Sequence, residues 1–221
     1  MSLDAIEHET GPNPQASIIV MHGLGADGND FVPICDQLDL TAVGPVRYVF
    51  PHAPVRPVTI NGGYRMRAWF DILSFERGRN EDEPGLRESQ AEVAALIDAE
   101  IARGVPAARI VLMGFSQGCA MTLMTGLRYP QRLAGLVGLS GYLPLPDTLA
   151  AERAPANADV PIFLAHGTAD PVIPFTRAEF SRDVLTGLDY PVEWRPYNMV
   201  HTVTPQELMH IHAFLLKVLA R

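Results

Sequence analysis

Three residue types in one order carry the chemical promise of this chain. A serine, Ser116, stands between two glycines in "GFSQG", Gly114 to Gly118. An aspartate, Asp170, follows in "HGTADPVIP", and a histidine, His201, closes "YNMVH". A serine hydroxyl is a weak nucleophile at neutral pH. It needs a base to take its proton, and the base needs a carboxylate to fix its tautomer. The spacing G-x-S-x-G is that of a tight strand-to-helix turn, with the serine projecting and small neighbours admitting other backbone. Together these residues could carry out acyl transfer through a covalent intermediate.

The elements around them must do the positioning. "RIVLMGF" before Ser116 is a short buried strand, and "QGCAMTLMTGLRY" after it is an apolar helix. Asp170 lies in the loop after the apolar run Val160 to Ala165. His201 lies between the strand-like "YPVEWRPY" and the terminal helix "TPQELMHIHAFLLKVLA". Catalytic groups of α/β sheets sit at the carboxyl ends of strands, and both residues satisfy that. The other acids after Ser116 fit less well. Asp147 and Asp159 precede the strand, Glu179 and Asp183 fall within a helix, and Asp189 is at a strand's wrong end. His166 ends the strand leading to Asp170 and is read as structuring that turn. His210 and His212 belong to the terminal helix.

An oxyanion requires backbone N–H groups, one from the residue after the nucleophile and one from the loop after an early strand. The first is Gln117. The second is expected from "HGLGADG", His22 to Gly28, at Leu24. That glycine-rich loop matches neither nucleotide fingerprint, G-x-G-x-x-G or G-x-x-x-x-G-K-[ST]. No His/acid cluster has metal-ligand spacing, so the chemistry calls for no cofactor and no metal.

Along the rest of the chain, "ASIIVMHG", "VRYVFP", Leu133 to Leu139 and Val160 to Ala165 are near-continuous apolar strands. "FVPICDQLDL" is expected to be a short helix with Pro33 near its first turn. Glu88 to Arg103 is expected to be an amphipathic helix, closed by Gly104 and Pro106. A further helix begins near Phe175. In the terminal helix, Thr204 is the cap, Pro205 the first helical residue and Glu207 stands three after the cap. "HAPVRPVTINGGYRMRAWFD" shows no clear period and reads as a long connection. Apolar strands alternating with helices imply a mostly parallel sheet covered by helices on both faces. No linker or repeat divides the chain, so residues 1–221 are expected to form a single α/β domain. The charged stretch from Leu73 to Leu86 is expected to be a surface flap.

Composition narrows the partners. A formal charge of −8 disfavours nucleic acid and anionic membrane surfaces. No apolar run is long enough to span a bilayer, so no stable membrane insertion is expected. The acidic start lacks a basic segment followed by an apolar core, which argues against a secretory signal. The two cysteines, Cys35 and Cys119, sit in apolar surroundings and suggest no disulfide framework.

"HGLGADG", "RPVTINGGYRMRAWFDI", "GFSQGCAM", "HGTADPVIP" and "YNMVH" occur in that order. Together they resemble the small carboxylesterase, acyl-protein thioesterase and lysophospholipase family of the α/β-hydrolases, its bacterial members in particular, over about Ala16 to Leu219. The resemblance implies an α/β-hydrolase sheet with a minimal cap. It implies a serine esterase cleaving small-molecule acyl esters, and thioesters in some members, often with medium or longer acyl chains. It places the triad on Ser116, Asp170 and His201 and the oxyanion donors on Leu24 and Gln117. It puts Leu73 and Leu143 along an acyl groove, although apolar loop residues serve equally as minor core. A cytoplasmic location and a homodimer follow from the same resemblance. Lysophospholipase or acyl-protein thioesterase activity is the alternative within the class, and a non-catalytic binding protein on the same scaffold the alternative outside it. Two positions depart from the family pattern. Val200 stands where a glycine is usual before the base histidine, and Cys119 where the elbow usually continues with a second glycine.

Overall fold

The computed structural model describes residues 3–73 and 81–220. Seven strands form one sheet in the order β1-β3-β2-β6-β7-β8-β9. They are β1 Ala5–Glu9, β2 Ala16–Met21, β3 Val46–Pro51, β6 Ile110–Phe115, β7 Gly135–Leu139, β8 Ile162–Gly167 and β9 Val192–Tyr197. β1 pairs antiparallel with β3, and the other neighbours are parallel. A two-stranded antiparallel hairpin, β4 Val55–Val58 and β5 Tyr64–Arg67, stands apart. Among the described residues five α-helices complete the architecture: α1 Glu83–Ala102, α2 Gln117–Gly126, α3 Pro146–Glu152, α4 Phe175–Gly187 and α5 Pro205–Val218.

The apolar strands are buried on both faces because alternate residues feed two cores. Ile19, Met21, Ile110 and Leu112 pack with Trp69, Leu86, Ile97 and Leu123. Ile18, Val20, Val111 and Met113 pack with Ile211, Phe214 and Leu215 on the other side. A sheet sandwiched in this way reads as continuous hydrophobic runs rather than as alternation.

Several expectations need correction. α1 begins at Glu83, five residues before Glu88, because Asp82 caps it by accepting the Gly85 N–H and Pro84 occupies its first turn. The expected flap therefore ends in helix over Glu83 to Leu86, and its residues 74–80 lie outside the described residues. The helix expected at "FVPICDQLDL" is a 3-10 segment, Gly28–Asp36, containing Pro33. Proline supplies no N–H for an α-helical ladder there. β1 and the β4–β5 hairpin were not anticipated. β1 is a half-exposed edge, and the hairpin turns through Gly62 and Gly63 at positive φ.

α5 matches its expected start. The Thr204 hydroxyl accepts the Glu207 N–H and the Glu207 carboxylate accepts the Thr204 N–H, both at 3.3 Å. Glu207 is buried and its Oε1 has no hydrogen-bond partner among the described residues. Burial pushes its carboxyl up to about 7, against the opposing Thr204 N–H. The folded state thus holds a proton that the unfolded chain releases from about pH 4.5 upward, so stability falls as pH rises toward 7. Glu207→Gln keeps the cap and needs no proton. Across this window the variant is expected to gain up to about 3 kcal/mol of stability relative to the parent. Urea denaturation at stepped pH measures the difference, and parallel curves for the two proteins would refute it.

Candidate active site

The sheet creates the crevice before any side chain is placed. After β2 the chain runs outward to β3, and after β6 it runs the other way, to β7. Their following loops diverge, which is the topological switch point where α/β sheets bind ligands. The loop after β2 carries Leu24, and the turn after β6 carries Ser116.

Ser116 has φ 57° and ψ −116°, a region that L-residues rarely enter. Such backbone costs about 1–3 kcal/mol and persists only where its surroundings over-determine it. Here the Ser116 N–H donates to Leu139 O at 2.9 Å, keeping the elbow tied to β7. A Cβ on Gly114 would collide with the Gly118 carbonyl, and one on Gly118 with the Met21 carbonyl. The two glycines are therefore required by close backbone approach, not by positive φ.

Asp170 and His201 meet as expected. The His201 Nδ1 is 2.7 Å from Asp170 Oδ2, and the Asp170 side chain is fully buried. Asp170 Oδ1 accepts the N–H groups of Val172 at 2.8 Å and Ile173 at 3.0 Å. With Nδ1 donating to the carboxylate, the other ring nitrogen, Nε2, is left unprotonated and free to accept a proton. The Phe115 ring lies 4.7 Å from the imidazole, so the residue before the serine packs on the histidine.

His166 does structure the acid turn. Its Nε2 donates to Ile173 O at 2.9 Å and lies 3.4 Å from Asp170 Oδ2. Burial lowers its pKa, which keeps the ring neutral, and its Nδ1 has no hydrogen-bond partner among the described residues. His210 and His212 are engaged elsewhere, with the Tyr197 hydroxyl and the Asp39 carbonyl.

Leu24, Ser116 and Gln117 line one cavity of about 90 Å³, together with Ile60, Ile72, Tyr142, Val172 and Ile173. Gln117 is the first residue of α2, so its N–H has no carbonyl four residues back within the helix. Leu73 and Leu143 do not line this cavity; their neighbours Ile72 and Tyr142 do. Leu73 is exposed, whereas Leu143 is buried, faces a second cavity and donates its N–H to Ser181 Oγ.

Sequence reasoning missed the clamp behind the serine elbow. Gln117 Oε1 accepts the Trp69 N–H at 3.0 Å, and its Nε2 donates to Phe70 O at 2.9 Å. The Trp69 indole N–H donates to His22 O at 2.9 Å. His22, neutral through burial, donates from Nδ1 to Gly23 O and accepts the Ala53 N–H at Nε2. The signal was the pairing of a buried amide at the elbow with "RAWFD", which has no periodicity of its own. Gln117→Ala is expected to lower stability by about 3 kcal/mol, since it strands the Trp69 N–H and the Phe70 carbonyl. A urea midpoint equal to that of the parent would remove the clamp from the account.

Both departures from the family pattern are accommodated. Val200 has no positive φ and its side chain is exposed, so no glycine is needed there. The close approach falls at Gly167, whose Cβ would collide with the Met199 carbonyl. Cys119 is matched by Gly141 across from it, where a Cβ would clash with the cysteine. Burial pushes the Cys119 thiol up to about 12, so it is inert.

A mostly parallel seven-stranded sheet, switching direction beside a strained serine elbow, defines an α/β-hydrolase. Within that class the chain belongs to the phospholipase/carboxylesterase family, whose model matches residues 3–219. It is 39% identical to the acyl-protein thioesterase 1 of Yarrowia lipolytica over 201 residues, covering 89% of this chain and 88% of that one. The crystal structure of Arabidopsis thaliana SOBER1 superposes with a TM-score of 0.88 at 32% identity, covering 92% of this chain and 99% of that one. That of Zea mays acyl-protein thioesterase 2 gives 0.85 at 30% identity, covering 97% and 99%. The chain is a carboxylic ester hydrolase of this family, with ester or thioester hydrolysis as its chemistry. Among the described residues no helix is long and apolar enough to cross a membrane.

Proposed function

We propose that Ser116 is the nucleophile, His201 the general base and Asp170 the residue that orients it, acting on a small-molecule acyl ester. His201 Nε2 takes the hydroxyl proton as Ser116 Oγ attacks the ester carbonyl carbon. The N–H groups of Leu24 and Gln117 receive the oxyanion. The intermediate collapses, the alcohol or thiol departs with the proton from His201, and the acyl group remains on Ser116. Water, deprotonated by His201, then releases the acid and restores the serine.

The observation that carries this reading is the 2.7 Å contact between His201 Nδ1 and a fully buried Asp170 carboxylate, at the crevice beside the serine elbow. Thioesters follow from the names of the relatives, which are acyl-protein thioesterases. Residues 1–221 as one domain, a cytoplasmic site of action and a homodimeric state complete the proposal. The first of these rests on the unbroken strand–helix alternation of the sequence, and the other two on the family resemblance. The test is hydrolysis of p-nitrophenyl esters from acetyl to palmitoyl, with labelling by a fluorophosphonate. Turnover with modification confined to Ser116 supports the assignment, and turnover without it overturns the role of Ser116.

A further inference from the structure

The cavity beside Ser116 is small and has a larger neighbour. Its volume, about 90 Å³, is below the ~150 Å³ that takes a benzene ring, so it holds only a few carbons. A second cavity of about 370 Å³ lies beyond, walled by Leu143, Leu145, Pro146 and Phe180 and edged by carboxylates. Among the described residues, Arg177 alone lines both.

Arg177 is fixed rather than trailing. Its N–H donates to Pro174 O at 2.8 Å, so the first turn of α4 sets where the side chain starts. The guanidinium carbon lies 3.4 Å from the centroid of the Tyr142 ring, a cation–π stack. Its Nη2 is 3.3 Å from Glu81 Oε1, while Glu81 Oε2 accepts the Leu145 N–H at 2.8 Å. Tyr142 borders the small cavity and Glu81 the large one. The arginine thus bridges the rims, with its side chain only 13% exposed.

We propose that Arg177 is the partition that closes the acyl cavity and limits the length of acyl chain the enzyme accepts. This rests on the serine-hydrolase reading above. An alkyl chain longer than the small cavity meets a planar cation held on an aromatic face and by a carboxylate. Passing it requires stripping an ion pair with no polar group in return. Removing the guanidinium joins the two spaces, and the apolar stretch at Leu143, Leu145 and Phe180 then receives the extra methylenes.

The experiment is kcat/KM for p-nitrophenyl esters from acetyl to decanoyl, in the parent, Arg177→Ala and Arg177→Met. Thermal melts report folding, and Met retains an unbranched stem if the alanine variant does not fold. The parent is expected to prefer acyl chains of about four carbons or fewer. Each newly buried methylene is worth a factor of about four, so the hexanoyl-to-butyryl ratio should rise about fifteen-fold in Arg177→Ala, and in the same direction in Arg177→Met. A parent already indifferent to length through decanoyl, or a folded variant with an unmoved ratio, overturns the partition. Loss of all Ser116-dependent hydrolysis in the parent instead overturns the serine-hydrolase reading on which it rests.

Discussion

Ser116→Ala is expected to lower kcat by roughly a million-fold, leaving only the acceleration due to oxyanion donors and binding. On the proposed mechanism the covalent route vanishes with the hydroxyl, and His201 and Asp170 have nothing left to activate. The substituted alanine keeps a Cβ at φ 57° and so keeps the strain of the elbow. The fold is therefore expected to persist, with a melting temperature near that of the parent and an unchanged circular dichroism spectrum. Stopped assays over hours, with protein freed of host esterases, measure the residual rate. Retention of even one per cent of the parent activity would mean that another group attacks the ester.

Asp170→Asn is expected to lower kcat by about ten-thousand-fold, with KM little altered. The amide is nearly the same shape, and its oxygen can still accept the Val172 and Ile173 N–H groups that now fall on Oδ1. What remains opposite His201 is then an NH₂, which donates. It turns the imidazole to the tautomer with the proton on Nε2, and that nitrogen can no longer take the serine proton. The buried position sharpens the effect, since no water stands in for the lost charge at a fully buried side chain. A rate profile that rises in strong base, where hydroxide replaces the histidine, would carry the signature of a tautomer fault. A fall of less than tenfold would show that Asp170 does not orient the base.

Much of this site is legible in the sequence because its parts are local signals. The elbow announces itself by Gly114 and Gly118, which the structure requires for backbone contact with Gly118 O and Met21 O. The cap at Thr204 is a reciprocal pair three residues apart, and it forms. Asp170 and His201 follow from strand ends, which apolar runs mark well. The missed features depend on contacts distant in sequence. Gln117 reaches Trp69 and Phe70 across 48 and 47 positions. β1 joins the sheet only through β3. Leu73 and Leu143 show a third kind of miss. In each case the next residue toward the amino terminus, Ile72 or Tyr142, borders the cavity. Successive side chains in an extended stretch point to opposite sides, so an error of one residue in phase turns Leu73 to solvent and Leu143 to the second cavity.

The loops that carry Asp170 and His201 are joined by main chain before their side chains meet. The Thr168 N–H donates to Tyr197 O at 2.8 Å and the Ala169 N–H to Met199 O at 3.2 Å, extending the β8–β9 ladder to the threshold of both residues. β9 is the outermost strand, with β8 its single neighbour in the sheet. Edge strands open at lower free energy than central ones. On warming, activity should thus be lost while the central strands β3, β2, β6, β7 and β8 are still assembled. The half-life of activity should then be set at the β8–β9 seam, and an engineer seeking a longer one would fasten β9 before touching the core.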